Sequence, residues 1–471
     1  TKPPNKGDGE SPQGVARLQP AEAVEGRPLA KSNPHQRTML RTQRRVRMSP
    51  DLEWIRQAAR QDRQRQFTAL FHHVYRLETL RRAYFSLNPK AAAGVDGVTW
   101  QQYGTDLESN LQGLAKRLKK GAYRAQPTRR TYIPKADGRQ RPLGVTTLED
   151  KIVQATVVEV LNAIYEGDFL GFSYGSRPGR SPHDALDALS VGIVRSKGNW
   201  VLNVDIRGYF DAMIHEWLVT FLAHRIADQR ILRLIQKWLK AGVLENGKLI
   251  YSETGSPQGA SVSPLAATIS LHYVFDLWGH QWRQRHCHGD VRLIRSVDDI
   301  VVGFEKREEA EQFHEALRQR FAKFGLELHP EKTRLIEFGR FAQERRRKRG
   351  LGKPASFTFL GFTHSSGQSR KGRFQMQRRT IAQRLRTKLA EVKVELRRRM
   401  HLPVPVQGAW LRSVVLGHYQ YYGVPLNGKA LQQFRKEVAR LWHRSLSRRS
   451  QKGHVIWERM NRYVDKWLPV A

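Results

Sequence analysis

Apolar positions along this chain follow two spacings, and the change from one to the other marks its parts. Between Leu52 and Leu87 the residues Phe67, Leu70, Phe71, Val74, Leu77 and Leu80 recur at helical intervals, which predicts helix with one apolar side. Gly94-Val95-Asp96-Gly97-Val98 then interrupts the pattern as a turn. From about residue 95 to about 365 strand and helix signals alternate. Trp200 to Asp205 reads as a buried strand ended by a carboxylate. Glu216–Ile226 and Ile231–Trp238 read as helices, and Val291–Phe304 as two apolar strands joined by a tight acidic turn. Glu308–Phe324 reads as an amphipathic helix, with Phe313, Leu317, Phe321 and Phe324 on one side. Beyond about 375 the stripe Ile381, Leu385, Leu389, Val392, Leu396, Met400 predicts a helix whose other sides are basic. Further helices are expected between Val406 and Tyr422 and between Ala430 and Ser445. The pattern predicts an α+β body followed by a separate all-helical part. Residues 1–50 show no period and are rich in Pro, Gly, Ser, Gln and charge, the composition of a flexible basic arm.

Composition narrows the function. The 471 residues are 39% hydrophobic, enough for a sizeable core and two to four domains. The net charge is +39, from 82 Lys and Arg against 43 Asp and Glu. Such an excess strains a compact fold unless a polyanion neutralises it. Nucleic acid is the natural polyanion, since each phosphate contact releases a counterion. An anionic membrane surface is the other candidate, but there is no apolar run of about 18 residues that could span a bilayer. The first 30 residues are polar and do not resemble a secretory leader. The single cysteine, Cys287, excludes an internal disulfide and suits a reducing compartment. It stands between His286 and His288. Adjacent side chains point apart, so a loop before a strand fits better than a zinc site. The basic runs Arg345-Arg346-Arg347-Lys348-Arg349 and Arg397-Arg398-Arg399 are candidates for RNA contact, with solvated surface as the plain alternative.

Three aspartates carry the chemistry. Asp205 ends an apolar strand, and Asp298 and Asp299 sit at a hairpin tip. Carboxylates at a strand end and a hairpin tip can converge on one sheet edge, where they repel unless cations lie between them. Mg²⁺ prefers such hard oxygens, and two ions about 4 Å apart can clamp the oxygens of phosphoryl transfer. Aspartate at a strand end also simply begins turns.

The surrounding segments weigh against that plain reading. In order they are Tyr132-Ile133-Pro134-Lys135, Gly138-Arg139-Gln140-Arg141-Pro142-Leu143-Gly144, Glu149 to Gln154, Phe172 to Ser181, Val204-Asp205-Ile206-Arg207-Gly208-Tyr209-Phe210-Asp211, Gly255-Ser256-Pro257-Gln258-Gly259, Ser263-Pro264-Leu265, Val297-Asp298-Asp299, Gly325 to Thr333 and Phe359-Leu360-Gly361-Phe362. The ordered series resembles the fingers and palm of group II intron reverse transcriptases. Gly417-His418-Tyr419-Gln420-Tyr421-Tyr422-Gly423 resembles the helical thumb, or maturase domain, of the same family. The resemblance covers about residues 55–465.

It implies a right-hand polymerase. The expected parts are an arm over 1–50, an N-terminal extension with fingers over 51–195, a palm over 196–370 and a helical thumb over 371–471. Asp205, Asp298 and Asp299 match the family's metal-binding carboxylates for two Mg²⁺ ions, with the carbonyl of Ile206 facing a metal. Lys135 and Arg141 match finger residues that grip the incoming deoxynucleoside triphosphate, and Gln258 a residue against nucleotide and template. Phe210 falls where the family has a ring under the sugar, with core packing as the alternative. Arg177, Arg180 and Lys332 stand in blocks that touch nucleic acid. Tyr419, Tyr421 and Tyr422 could stack on bases, although their helical spacing fits packing better. Two departures stand out. The family's Tyr-Ala-Asp-Asp is here Ser296-Val297-Asp298-Asp299, and Ala260 follows Gln258-Gly259 where a second glycine is common. No cysteine follows Cys287, so no nuclease domain of the His/Asn/Cys type is expected. The implied function is RNA-directed DNA synthesis with assistance to splicing and retrotransposition, on intron RNA, RNA template and DNA primer, in a bacterial cytoplasm. A splicing factor with a weakened site, or a reverse transcriptase recruited to defence or repair, are the alternatives.

Overall fold

In this computed structural model, residues 52–134, 140–195, 198–255, 259–449 and 454–471 are described. The expected arm, Lys135 and Gln258 lie outside them. The helical stripe at the start folds as three helices, Glu53–Gln61, Phe71–Tyr75 and Leu77–Ser86. The break is stabilised from a distance. The Asp228 carboxylate accepts from the backbone N–H of Leu70 and of Phe71, each at 2.9 Å, satisfying donors that a helix start leaves free. The apolar side of these helices packs on the long helix Leu148–Tyr165.

Following the chain, β1 (Thr128–Pro134) and β2 (Gln140–Val145) form an antiparallel hairpin with Ile133 opposite Arg141. The helix Pro182–Arg195 leads to β3 (Trp200–Val204). The short strands β4 (Val243–Glu245) and β5 (Lys248–Ile250) return to β1 and complete a first sheet in the order β2-β1-β4-β5. Next, β6 (Val291–Ser296), β7 (Asp299–Phe304) and β8 (Arg334–Glu337) join β3 in a central sheet ordered β6-β7-β3-β8.

The central sheet is covered on both faces. Leu202, Val204, Leu293, Ile300 and Val302 face a core that contains Phe313, Leu317 and Phe321 of the helix Arg307–Ala322. Val201, Ile294 and Val301 face the opposite core, with Leu186 and Leu189 of Pro182–Arg195. Alternation on a pleated strand puts neighbours on opposite faces, so two buried faces require the continuous apolar runs seen in the sequence.

A third sheet is built from β9 (Phe357–Phe359), β10 (Phe362–Gln368) and β11 (Phe374–Thr380), with β10 in the middle. The boundary expected at 371 falls in the turn between β10 and β11, because the hairpin continues the strands of the body. The helical part begins at Ala382. Its helices are Ala382–Arg398, Val404–Tyr422, Gly428–Ser447 and Trp457–Trp467, gathered around the fully buried Trp442. The Gln407 side chain accepts from Trp442 Nε1 at 2.9 Å and donates to the Arg399 carbonyl at 2.6 Å, which satisfies a free helix-end acceptor. No described helix is long and apolar enough to cross a membrane.

His364 in β10 is fully buried against Phe357, ring centroids 4.9 Å apart. Burial, with a smaller push from Arg378, lowers its imidazole to about 4. Above its ordinary value near 6.5 both folded and unfolded forms are neutral and nothing changes. As pH falls toward 4, the unfolded chain takes a proton that the folded one refuses. Urea denaturation is therefore expected to show less acid sensitivity in His364→Leu than in wild type, by about 3 kcal/mol between pH 6.5 and pH 4.

Candidate active site

Asp205 directly follows β3, and the pairing of Val204 with Ile300 brings it level with Asp299, the first residue of β7. Asp298 lies in the two-residue turn whose flanks pair as Ser296 with Asp299. One end of the central sheet thus carries all three carboxylates. The other turn residue, Val297, has φ of 57°, a left-handed conformation that costs a β-branched residue.

Two neighbours hold the turn there. Gly175 lies flush against it: a Cβ at Gly175 would stand 2.3 Å from Val297 N and 2.5 Å from Val297 Cγ2. Gly175→Ala is therefore expected to cost about 1–3 kcal/mol and to lower activity in proportion to hairpin displacement. Urea denaturation beside a primer-extension assay checks both. The second neighbour is Arg295, a fully buried arginine that the sequence reading passed over. Its Nη1 donates to the Val297 carbonyl at 3.1 Å, and Nη2 donates to Ser173 Oγ at 2.7 Å. Nε donates to Asp276 Oδ1 at 2.6 Å, and Nη2 makes a second short bond to Oδ2 of that carboxylate. Asp276 closes a π-helical turn, His272–Asp276, set between Ser263–Leu271 and Leu277–His286. Such turns are rare and gather at functional sites. Burial alone would raise the Asp276 carboxyl, but Arg295, helped by His272, brings it below the usual range.

The other carboxylates behave in the opposite way. The surrounding protein pushes Asp299 up to about 7, and the charges of Asp298 and Asp205 push in the same direction. Asp298 is raised too, by burial first and then by Asp205. The Asp299 side chain nevertheless faces open solvent. Water screens part of that burial, and the repulsion among carboxylates is what a cation would relieve. Arg141 of β2 opposes the rise at both aspartates, and Arg384 of the first C-terminal helix opposes it at Asp299.

Asp205 is fixed by its backbone: its carbonyl accepts from His329 N at 2.8 Å, and its N–H donates to Thr333 Oγ1 at 3.2 Å. Its Oδ2 accepts from Lys332 Nζ at 3.1 Å. Among the described residues no three His, Cys, Asp or Glu side chains come close enough together to hold a metal ion as a group. The donor set still suits Mg²⁺, which keeps several oxygens from water and phosphates and needs only one or two carboxylates. Asp205, Asp298 and Asp299 are the residues that would hold it, where it would neutralise charge on a transferring phosphoryl group.

A family model described as reverse transcriptase (RNA-dependent DNA polymerase) matches residues 133–364, a range that includes all three carboxylates. The "Group II intron-encoded protein LtrA" of Lactococcus lactis subsp. cremoris is 35% identical over 222 residues, 47% of this chain and 37% of that protein. The matched segment is similar to reverse transcriptases, and the chain is similar to group II intron-encoded proteins. "Protein YkfC" of Escherichia coli (strain K12) is 34% identical over 261 residues, 54% of this chain and 61% of its own length. An "Uncharacterized 91 kDa protein in cob intron" of Schizosaccharomyces pombe is 41% identical over 163 residues, 34% of this chain and 20% of that one. The chain thus spans less than two thirds of each of these relatives.

In this chain the predicted residues divide. Arg141 and Ile206 are at the site: Arg141 is exposed and Ile206 is buried, bridging to Leu328. Phe210 is half-buried beside Tyr209, so part of its ring remains open. Lys332 holds Asp205, as described. Arg177 is an interior residue: it pairs with Glu166 at 2.7 Å and donates to the carbonyls of Leu170 and Ser173. Arg180 is half-buried, donating to the Gly171 carbonyl at 2.6 Å and lying over Tyr174. Both arginines fix the segment that carries Gly175, because their guanidinium groups are taken by backbone oxygens.

Of the basic runs, Arg346 lies 3.9 Å from Glu337 and donates to the Gly352 carbonyl, Lys348 pairs with Glu344 at 3.0 Å, and Arg345 lies over Phe341. Arg347, Arg397 and Arg398 are exposed, with Arg398 3.7 Å from Glu395. Tyr421 packs as its spacing predicted, and Tyr422 is half-buried. Tyr421 Oη donates to the Leu360 carbonyl at 3.0 Å, and its own carbonyl meets His183 Nε2 at 2.7 Å. These bonds tie the C-terminal helices to the body of the protein. Cys287 is pushed up by burial and by Glu309, which disfavours the thiolate that a metal would need.

Proposed function

We propose that the chain is an RNA-directed DNA polymerase that binds a group II intron RNA, assists its splicing and copies it into DNA. The observation that carries this is the placing of Asp205, Asp298 and Asp299 at one sheet end, with charge repulsion that Lys332, Arg141 and Arg384 offset only in part. In this reading the first sheet serves as fingers, the central sheet as palm and the C-terminal helices as thumb. Arg141 meets the triphosphate, together with Lys135. Gln258 lies against nucleotide and template, and the open part of Phe210 lies under the deoxyribose. The metal is Mg²⁺, two ions, held by the three carboxylates. The exposed cations Arg347, Arg397 and Arg398, within a chain of net charge +39, supply phosphate contacts. Splicing help needs no catalytic side chain, since a protein that stabilises folded RNA leaves the chemistry to the RNA.

Primer extension on an RNA template with Mg²⁺ and deoxynucleoside triphosphates tests the reading. Absence of product from folded wild type would sink the polymerase assignment. Tight, salt-sensitive RNA binding without synthesis would support a splicing factor instead, the reading that the loss of a tyrosine at Ser296 favours.

A further inference from the structure

A concave space lies outside the carboxylate site, in the C-terminal helices. It is a groove of about 490 Å³ between Ala382–Arg398 and Val404–Tyr422. The first helix packs mainly on Gly428–Ser447, leaving its side toward the second helix unfilled. Arg384, Lys388 and Glu391 line one wall at intervals of four and three, which puts them on one helix face. Gly417, His418 and Tyr422 line the other.

Three features mark this groove as a built site. A Cβ added at Gly417 would meet nothing within 4 Å. Glycine inside a helix costs about 1 kcal/mol relative to alanine, and here it keeps the floor open. His418 is only 7% exposed, and its Nε2 has no hydrogen-bond partner. Its ring stacks on Phe434 at 3.8 Å and lies 4.6 Å from Tyr422, so the wall is an aromatic step. Burial, and then Lys388, push His418 down to about 4, and it stays uncharged at neutral pH. Finally, the groove borders the third sheet: Arg384 abuts Gly361, between β9 and β10.

We propose that this groove holds one unpaired RNA nucleotide, its base against Tyr422, which His418 backs, and its phosphate on Arg384 and Lys388. The volume lies within the range of small-ligand sites and holds a single nucleotide, not a stretch of duplex. Aromatic faces accept any base by stacking, and cations take the phosphate. The acidic residue in a basic groove has a purpose in this reading. Glu391, 2.9 Å from Lys388, offers an acceptor to a base amino group or a 2′-hydroxyl, which phosphate contacts alone do not use. The inference rests on the reading that the chain binds RNA.

The test uses the full chain and two RNA hairpins of identical stem, one fully paired and one with a single unpaired 2-aminopurine. Wild type is expected to bind the bulged hairpin about tenfold more tightly, with quenching of the 2-aminopurine emission. Gly417→Leu fills the groove and is expected to bring the two affinities together. Binding of the paired hairpin is the control for folding. Equal affinities in wild type, or a preference that survives Gly417→Leu, would overturn the proposal while leaving general RNA binding in place. Failure of wild type to bind either hairpin would overturn both.

Discussion

Alanine at both Asp298 and Asp299 is expected to lower DNA synthesis from an RNA template by at least about 1000-fold, with the protein still folded. The size follows from the several kcal/mol that cations at a phosphoryl group supply, each 1.36 kcal/mol being about tenfold in rate. The fold should not suffer. Asp299 is raised to about 7 and Asp298 is raised as well, both by burial and then by neighbouring carboxylates. A carboxyl whose folded value lies above its unfolded value favours the fold only while protonated, and that contribution is lost as pH rises through the folded value. At pH 8 both groups are charged and mutually repelling, so the alanine variant is expected to melt at or above wild type. Salt-sensitive RNA binding should not weaken, since the substitutions remove no cation. Primer extension, thermal melting at pH 8 and RNA binding measured side by side decide the matter. Undiminished synthesis by the variant would remove these residues from the catalytic role.

Arg295→Met is expected to be among the most destabilising single changes in the body of the protein, at about 3–5 kcal/mol. It leaves Asp276 charged, fully buried and without its bidentate partner. Adding Asp276→Leu removes that orphaned charge. Replacing a buried ion pair by apolar residues of similar volume is often neutral, so urea denaturation of the double variant should return close to wild type. Activity should not return with it. The Val297 carbonyl and Ser173 hydroxyl lose their donor in both variants, and the strained turn carrying Asp298 loses its tether. A displacement of about 1 Å at a catalytic group costs about 100-fold. DNA synthesis in the double variant is therefore expected to stay about 100-fold down while stability recovers. Recovery of both together would mean that the pair serves the fold alone.

This second expectation could not be written from the sequence. Arg295 stands three residues before Asp-Asp in a run that reads as a strand, and its partner lies 19 positions upstream. An arginine in an apolar strand beside two carboxylates is a signal in hindsight, since a buried charge demands a partner. What identifies Asp276 is the π-helical turn, which no spacing rule predicts. The two nearest candidates for nucleic-acid contact, Arg177 and Arg180, show the same limit. Their residue type was informative, but burial decided that they bond to backbone oxygens.

Local physics was legible where one element settles the question. Phe313, Leu317 and Phe321 repeat at helical spacing and are buried on one side of Arg307–Ala322. The apolar runs around Asp205 and Asp299 became strands because both faces of the central sheet are covered. The stripe Leu385, Val392, Leu396 became the core side of the first C-terminal helix. The order of motifs was enough to point to the family that the comparisons also indicate, because chemistry restricts which residue types can stand there.

Whatever depended on distant segments meeting was left to the tertiary structure. β4 and β5 join a sheet begun more than a hundred residues earlier, and the helical part starts at Ala382, after a hairpin that the periodicity alone did not separate. Lys332 turned toward Asp205, and the groove above Gly417 opened, through contacts between elements that no local pattern encodes. Sequence determines propensity and chemistry residue by residue. Burial, desolvation and charge pairing are properties of the assembled neighbourhood, and here they decided which cations became scaffold and which stayed exposed.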